Sequence, residues 1–275
     1  MGGVRCMFTA TRLITGFRTP LVLAPTFNEE TASAPLLTPP AANHATASGG
    51  PADSAVSQIT YGPVEEARQD EIVDIFVQHF FPDETLSKLG RACDGGELEN
   101  QRAWLRPSLS GWDWSVCLVA TDSATSRVVG ASLNTVITPT SESSLATWER
   151  QDTEAYQWLG KFFSQLNGGY DIFKALDVET VLERIMATVD KRYRGQGIAS
   201  ELFRRTTMEL APKAGCQAAV VAASSPYTRQ GLSRLGYTVV NTLRYRDSVL
   251  AACPKIDWSQ CEAHDGAALM VRRIG

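Results

Sequence analysis

The sequence lacks the long apolar run that a membrane-spanning protein needs. No stretch approaches the ~18 uncharged apolar residues of a transmembrane helix, although 44% of the 275 residues are hydrophobic. It also lacks a block of lysine and arginine, and the net charge is −4 with a pI near 5.5. These absences exclude an integral membrane protein and argue against nucleic acid as the main partner. The composition is that of a soluble globular chain, large enough for one large domain or two small ones.

Paired cysteines are absent as well. The six cysteines are scattered and form no Cys-x-x-Cys pair, so the spacing predicts neither a structural zinc site nor a disulfide framework. Asn-x-Ser/Thr sequons are also missing. Together these features favour a reducing intracellular compartment. We expect a cytoplasmic protein without a metal site.

Residues 1–57 have little apolar periodicity and contain the Thr38-Pro39-Pro40 and Gly49-Gly50-Pro51 segments. Such a segment buries too little surface to offset its ordering entropy, so we expect a disordered N-terminal tail. Its first 28 residues carry three arginines and no acid, a balance that is also typical of a mitochondrial transit peptide. A variable tail without a function remains the alternative. The folded domain is predicted to span residues 58–275.

From Ile59 onward the sequence predicts alternating helices and strands. Apolar residues at helical spacing indicate a helix over Glu65–Phe81, and a second around Trp158–Leu166. Two β-type runs, Trp114–Thr121 and Val128–Thr138, are separated by a five-residue turn and predict a hairpin.

The C-terminal half gives a clearer order of elements. It predicts strand Val181–Val189, a turn over Asp190–Gly197, helix Ile198–Ala211, strand Gln217–Ala223, short helix Tyr227–Leu235 and closing strand Ala267–Arg273.

The most informative segment is the turn Arg192-Tyr193-Arg194-Gly195-Gln196-Gly197. Two glycines one residue apart let successive N–H groups point into one concavity. Those amides continue into the unpaired N–H groups at the start of the Ile198 helix, where the macrodipole favours an anion. The turn therefore suits a pyrophosphate, with Arg192 and Arg194 supplying further charge. An ordinary turn with solvated arginines is the alternative.

A dinucleotide-binding Rossmann turn competes with this interpretation, because Gly195-x-Gly197-x-x-Ser200 nearly fits Gly-x-Gly-x-x-Gly. Ser200 replaces the third glycine, however. The end of the next strand offers Ser224 and Ser225 where an acid should hold the ribose.

The motif Arg192-x-x-Gly195-x-Gly197 resembles the acetyl-CoA signature of the GNAT superfamily of N-acetyltransferases. Four further segments match in the same order. Phe80–Ser87 is similar to the Phe-Phe-x-Asp-Glu-Pro-Leu-Asn segment of the insect arylalkylamine (dopamine) N-acetyltransferases, and Val129–Asn134 resembles their third strand. Leu235-Gly236-Tyr237 and Ala267–Ile274 resemble the end of their short helix and their last strand.

This resemblance covers about residues 59–274 and implies an α/β fold, a mostly antiparallel seven-stranded sheet flanked by helices. It implies transfer of acetyl from acetyl-CoA to a primary amine in a ternary complex. The residues implied to bind the cofactor are Thr188, Val189, Arg192, Arg194, Gly195, Gln196, Gly197, Ile198 and Ala199. The pantetheine arm is expected between the strand that ends at Val189 and the one that ends at Ala223.

The reaction needs a base, because an alkylamine is mostly protonated near neutral pH. Glu84 matches the catalytic glutamate of the insect enzymes, and a carboxylate is a sensible base when burial raises its pKa. The alternative is that Asp83 and Glu84 only end a helix at the surface. His79 is a rival base by its intrinsic pKa, although its place on an apolar face is more typical of a packed histidine.

Ser224 and Thr228 match two serines, four residues apart, of the insect enzymes. They are implied to assist proton movement or to protonate the departing thiolate, or they form a helix N-cap pair without a chemical role. Many GNAT enzymes use a tyrosine for the thiolate, and its position here is Leu232, which has no proton to give. The thiolate can also leave unprotonated, since a thiol with a pKa near 8.5 is a fair leaving group.

The amine pocket is expected to include Phe80, Phe81 and Ser225, with Trp148 and Tyr156 as further aromatics. The family's Pro-Leu-Asn is Thr85-Leu86-Ser87 here, which weakens the transfer of substrate specificity. We expect an arylalkylamine acceptor such as dopamine, serotonin, tyramine or octopamine, and a monomer. The alternatives are a polyamine, an amino acid or a protein N-terminus as acceptor, or an acyl-CoA-binding module without activity.

Overall fold

The computed structural model describes residues 58–91, 94–109, 112–141, 154–261 and 264–275. The predicted N-terminal tail over residues 1–57 lies outside the described residues, and so do Trp148 and the side chain of Tyr156.

The centre of the fold is one seven-stranded sheet with the order β1-β2-β3-β4-β5-β7-β6. Every neighbouring pair is antiparallel except β4 and β5, which are parallel. The predicted mostly antiparallel sheet is therefore confirmed, and the Rossmann alternative, which needs a parallel sheet, is wrong. The strands are β1 Ile59–Gly62, β2 Leu118–Asp122, β3 Val128–Ile137, β4 Val181–Val189, β5 Ala218–Ala223, β6 Thr238–Arg244 and β7 Gly266–Arg273.

Helices cover both faces of this sheet. They are α1 Gln69–His79, α2 Thr85–Leu89, α3 Glu97–Ser108, α4 Glu154–Asn167, α5 Ile172–Leu176, α6 Ile198–Arg205, α7 Ala211–Lys213 and α8 Pro226–Arg234. Strand β5 illustrates the two-sided burial, since Ala219, Val221 and Ala223 pack with α6 and α8 while Val220 and Ala222 face the α4 side. Among the described residues, no helix is both long and apolar enough to cross a membrane.

The hairpin of β2 and β3 is confirmed, but its first strand begins at Leu118 rather than at Trp114. Trp114–Val116 form a short 3-10 turn, because the Asp113 carboxylate caps it by accepting from the Ser115 N–H at 3.0 Å. Strands β1 and β6 had not been predicted. β6 leaves most of its residues partly or fully exposed, so it shows no clear apolar alternation in the sequence.

The helix predicted over Ile198–Ala211 is interrupted by a π-helical turn at Thr206–Leu210. The Thr206 hydroxyl donates back to the Leu202 carbonyl at 2.8 Å, and such bonds compete with the regular helical ladder. The turn is buried at Thr206 and Thr207. Single π turns inside α-helices are frequent at functional sites.

Strands β4 and β5 separate part-way along their length. Their parallel ladder runs from Val181–Ala218 to Arg184–Val221 and stops there. β4 continues to Val189 along β3, with a register shift opposite Leu133 and Asn134, and β5 continues to Ala223 along β7. A bulge of this kind bends a strand. The facing edges of β4 and β5 therefore open into a cleft.

Candidate active site

A cavity of about 1440 Å³ begins in this cleft. The strand ends, the turn after β4, the loop between α1 and α2, and the first turn of α8 all line it. Of the predicted site residues, the following line the cavity: Phe80, Glu84, Thr188, Val189, Arg194, Gly195, Gly197, Ile198, Ala199, Ser224, Ser225 and Thr228. The fold thus brings together residues that are far apart in the sequence, such as Glu84 and Ser224, which are 140 positions apart.

The turn after β4 has the conformation that its glycines require. Gly195 and Gly197 have φ values of +80° and +79°, which L-residues adopt only at a cost. A Cβ at either position would meet no atom within 4 Å, so the space in front of the turn is open. Gly197 is the N-cap of α6. No carbonyl of the described residues accepts from the N–H groups of Gly195, Gln196 or Gly197.

The two arginines of the motif are engaged differently. Arg192 binds the Asp190 carboxylate through Nε at 3.2 Å and Nη2 at 2.6 Å, and its side chain does not line the cavity. These hydrogen bonds lower the pKa of Asp190 to about 2, against its burial. Arg194 lines the cavity and donates to Asp83 at 2.5 Å. Arg194 is therefore better placed than Arg192 to meet a ligand.

Asp83 ties the loop before α2 to the turn after β4. It accepts from Arg194 and forms an ion pair with Lys191 at 3.0 Å. Burial raises the pKa of Asp83, but the hydrogen bonds from Arg194 and Lys191 outweigh it and hold the pKa below its ordinary value. Asp83 is an anchor of the loop, and the residue that follows it reaches the cavity.

Glu84 caps helix α2 and lines the cavity at the same time. Its Oε1 accepts from the Leu86 N–H at 3.1 Å, and its Oε2 accepts from the Ser87 N–H at 2.7 Å and the Ser87 hydroxyl at 2.9 Å. A further bond crosses the cavity, since the Ser224 hydroxyl donates to Oε1 at 2.5 Å. These bonds fix the position and orientation of the half-buried carboxylate at the cavity wall.

Ser224 is held from its other side by Tyr245. The buried Tyr245 hydroxyl donates to the Ser224 carbonyl at 2.9 Å. Burial and, next, the charge of Glu84 raise the pKa of Tyr245, so this phenol stays a neutral donor. The end of β5 is thereby fixed opposite Glu84.

Some of the remaining predicted side chains line the cavity, and others are buried in the hydrophobic core or point elsewhere. Thr228, in the first turn of α8, lines the cavity, and Ser225 caps that helix by accepting from the Tyr227 N–H at 3.2 Å. Phe80 lines the cavity, but Phe81 is fully buried in the core with α1 and α3. The position of Phe81 gives no support to its predicted contact with the substrate, because the end of α1 turns only Phe80 outward. Gln196 does not line the cavity either.

His79 lines the cavity and is paired rather than free. Its Nδ1 accepts weakly from the Lys191 N–H at 3.5 Å, and its Nε2 lies 3.6 Å from Asp190. Burial lowers the pKa of His79, and the three neighbouring cations add to this effect while Asp190 opposes it. A neutral imidazole that already uses Nδ1 fits the packed histidine that the sequence suggested.

Sequence reasoning missed two residues at the rim of the cavity. Tyr227 is 78% exposed, and its ring meets that of His264 edge to face at 5.8 Å. The His264 Nδ1 is buried and has no partner among the described residues. Both line the cavity. His264 precedes β7 in an irregular segment, where no periodicity marks it.

No group of His, Cys, Asp and Glu in the described ranges could hold a metal ion.

Solved structures of acetyltransferases are similar to this fold. Arylalkylamine N-acetyltransferase 2 from Aedes aegypti is 23% identical, with a TM-score of 0.66 over 79% of this chain and 99% of that one. The chain has the GNAT acetyltransferase fold. The Drosophila melanogaster polyamine N-acetyltransferase, which forms N-acetylagmatine, is 21% identical, with a TM-score of 0.64 over 79% and 100% of the two chains.

A mosquito arylalkylamine N-acetyltransferase like 5b is 19% identical, with a TM-score of 0.65 over 79% and 100% of the two chains. No family model matches the sequence, and no curated protein matches it. The GNAT fold implied by the sequence resemblance is thus confirmed by structure.

Replacing Gly195 by valine tests the turn. We expect the affinity for coenzyme A to fall by roughly tenfold or more, since a β-branched residue at positive φ costs about 1–3 kcal/mol and its side chain enters the concavity. Isothermal titration calorimetry measures the change. Gly215→Val is the matched control, because Gly215 has φ +74° and open space but lies away from the cavity. Unchanged affinity in Gly195→Val would contradict the proposed role of the turn.

Proposed function

We propose that the protein is an N-acetyltransferase that moves acetyl from acetyl-CoA to a primary amine, with Glu84 as the general base. The observation that carries the proposal is the bond between Glu84 and Ser224 across the cleft where β4 and β5 separate. The same cavity contains the glycine turn. A site for an anionic carrier and a fixed carboxylate therefore share one space.

The residues present fit the carrier. The N–H groups of Gly195, Gln196 and Gly197 and the first N–H groups of α6 are free to bind a diphosphate. Beyond Arg184 and Val221 the facing edges of β4 and β5 are not joined to each other, so both can accept an extended arm as a further ladder. Acetyl-CoA, when bound, supplies the acetyl group as a thioester.

Glu84 would accept the proton that the amine must lose. Its carboxylate is an acceptor in all four of its hydrogen bonds, so its orientation at the cavity wall is fixed before an amine arrives. Ser224 shares Oε1 and would orient the carboxylate and pass a proton. Thr228 lies on the same wall. Leu232, at the position of the usual tyrosine, is buried and supplies no proton.

An arylalkylamine is the acceptor that the apolar part of the wall favours. Phe80, Leu159, Phe163 and Leu269 line the cavity with Glu84, and aromatic and aliphatic walls bind flat apolar groups. The first two of the similar structures differ in acceptor, one being named for arylalkylamines and the other for polyamines.

A polyamine or agmatine-like acceptor is the second candidate, and a specific observation favours it. Besides Asp83 and Glu84, four further acidic residues line the same cavity, namely Asp171, Asp177, Glu179 and Glu183. Lys174 already pairs with Asp171 at 3.0 Å. Asp177 and Glu179 add negative charge to this wall, where a second cationic end of the acceptor can meet it.

Replacing Glu84 by glutamine tests the base. Glutamine keeps an acceptor for the α2 cap but cannot take a proton, so we expect kcat to fall by about 10²- to 10⁴-fold while acetyl-CoA still binds. The loss should be greatest at low pH, where the free amine is scarcest. Stopped-flow detection of thiol release and calorimetry give the two readouts. Glu65→Gln, at an exposed position, is the matched control. A pH–rate profile identical to that of the wild type would remove Glu84 from the mechanism.

A panel of amines tests the acceptor. We expect tryptamine and tyramine to give a higher kcat/KM than agmatine and spermidine, because the wall near Glu84 is mainly apolar. The rate of thiol release with each amine is the measurement. The reverse order would favour the polyamine candidate, and an absence of amine-dependent release with intact binding of CoA would identify a binding module without activity.

A further inference from the structure

Arg184 is a buried cation that pairs with no carboxylate in the part of the chain that the structure describes. It lies on β4 and is only 6% exposed. Its guanidinium donates to three hydroxyls, those of Ser132 at 3.0 Å, Thr206 at 3.0 Å and Thr207 at 3.1 Å. No carboxylate of the described ranges binds it, and its Nε is buried without a partner there.

The hydroxyl partners are themselves fixed. Thr206 and Thr207 belong to the π-helical turn, and the Thr207 hydroxyl also bonds to that of Tyr237 at 2.9 Å. The guanidinium lies over the Phe203 ring, with Cζ 4.2 Å from the ring centroid. Neutral hydroxyls and an aromatic face solvate the cation without neutralising it.

Such an arrangement is costly. Burial lowers the pKa of Arg184, yet a guanidinium stays protonated in proteins, so a full positive charge remains in the interior. Packing alone does not require it, because a buried charge is generally replaceable by apolar side chains of similar volume. An unsatisfied buried polar group such as this Nε calls for a specific explanation, and a catalytic role is one of those that apply to native proteins.

The position of Arg184 supplies that explanation. It is the last β4 residue in the ladder to β5, and it lines the cavity. An extended arm whose diphosphate lies at Gly195–Gly197 can follow the open edge of β4 inward only as far as this point. Beyond it, β4 and β5 bond to each other. The reactive end of the arm must therefore stop beside Arg184.

We propose that Arg184 stabilises negative charge on the sulfur of bound coenzyme A, so that the thiol leaves as a thiolate without a proton donor. This inference rests on the proposed function, since it assumes that coenzyme A occupies the cleft. It also explains how the thiol can leave although Leu232, which has no proton to give, stands where many GNAT enzymes have a tyrosine. A positive charge in a low-dielectric interior acts over several ångströms, so direct contact with the sulfur is not needed.

The other charged groups on the cavity wall include some that would raise the pKa of the thiol and some that would lower it. Besides Asp83, the acids on this wall are Glu84, Glu183, Asp171, Asp177 and Glu179. Four donors bind the Glu84 carboxylate, and Lys174 pairs with Asp171. Burial lowers the pKa of His79, and Arg194 is paired with Asp83 near the turn. The Tyr237 phenol faces Arg184 through Thr207. Arg184 is the cation at the closed end of the cleft.

The test is the thiol pKa of bound coenzyme A. It is read from the ultraviolet absorbance of the thiolate during a pH titration, as the difference between the complexes with coenzyme A and with desulfo-coenzyme A. We expect a pKa below the ordinary thiol value of about 8.5 in the wild type. Arg184→Met should raise this pKa by about one unit, a tenfold loss of thiolate.

Two variants separate charge from packing. Arg184→Lys keeps the charge and should keep most of the lowered thiol pKa, whereas Arg184→Met keeps the length of the side chain and loses the charge. An Arg184→Met complex with the wild-type thiol pKa would overturn the inference. If that variant does not fold, a wild-type thiol pKa at or above that of free coenzyme A overturns it as well. Failure of the wild type to bind coenzyme A would instead overturn the proposed function.

Discussion

The parting of β4 and β5 is the constraint on which the rest of the site depends. The two strands are parallel neighbours for four residue pairs and then diverge, held apart because each is bonded to another strand on its outer side. A sheet interior normally has no free edge. Here two edges are exposed inside the fold, and the elements that carry charge or polar side chains converge on the opening.

Those elements are locked to one another by polar contacts across the cleft. Asp83 joins the loop before α2 to Lys191 and Arg194, and one residue later Glu84 meets Ser224 at the end of β5. The carboxylate therefore has its place set by both sides of the cavity. Preorganisation of this kind is what lets a side chain act without first being reoriented.

The sequence alone predicted the turn after β4 and the elements on either side of it. A strand, two glycines and an amphipathic helix follow one another directly there. Contacts between segments that are distant in the sequence could not be predicted in this way. Nothing local indicates that Asp83 engages Arg194, or that Phe80 rather than Phe81 faces the cavity, since both depend on how a helix end meets the sheet. The separate roles expected for Glu84 and Ser224 followed from family resemblance alone, and the hydrogen bond between them was not predicted. His264 and the three hydroxyls around Arg184 carry no pattern that a periodicity can detect.

The most direct test of this account is a crystal structure of the protein with coenzyme A. The account predicts that the diphosphate oxygens accept from the N–H groups between Gly195 and Ala199, and that the arm runs between β4 and β5 toward Arg184. A diphosphate bound elsewhere, with the arm outside the cleft, would contradict it.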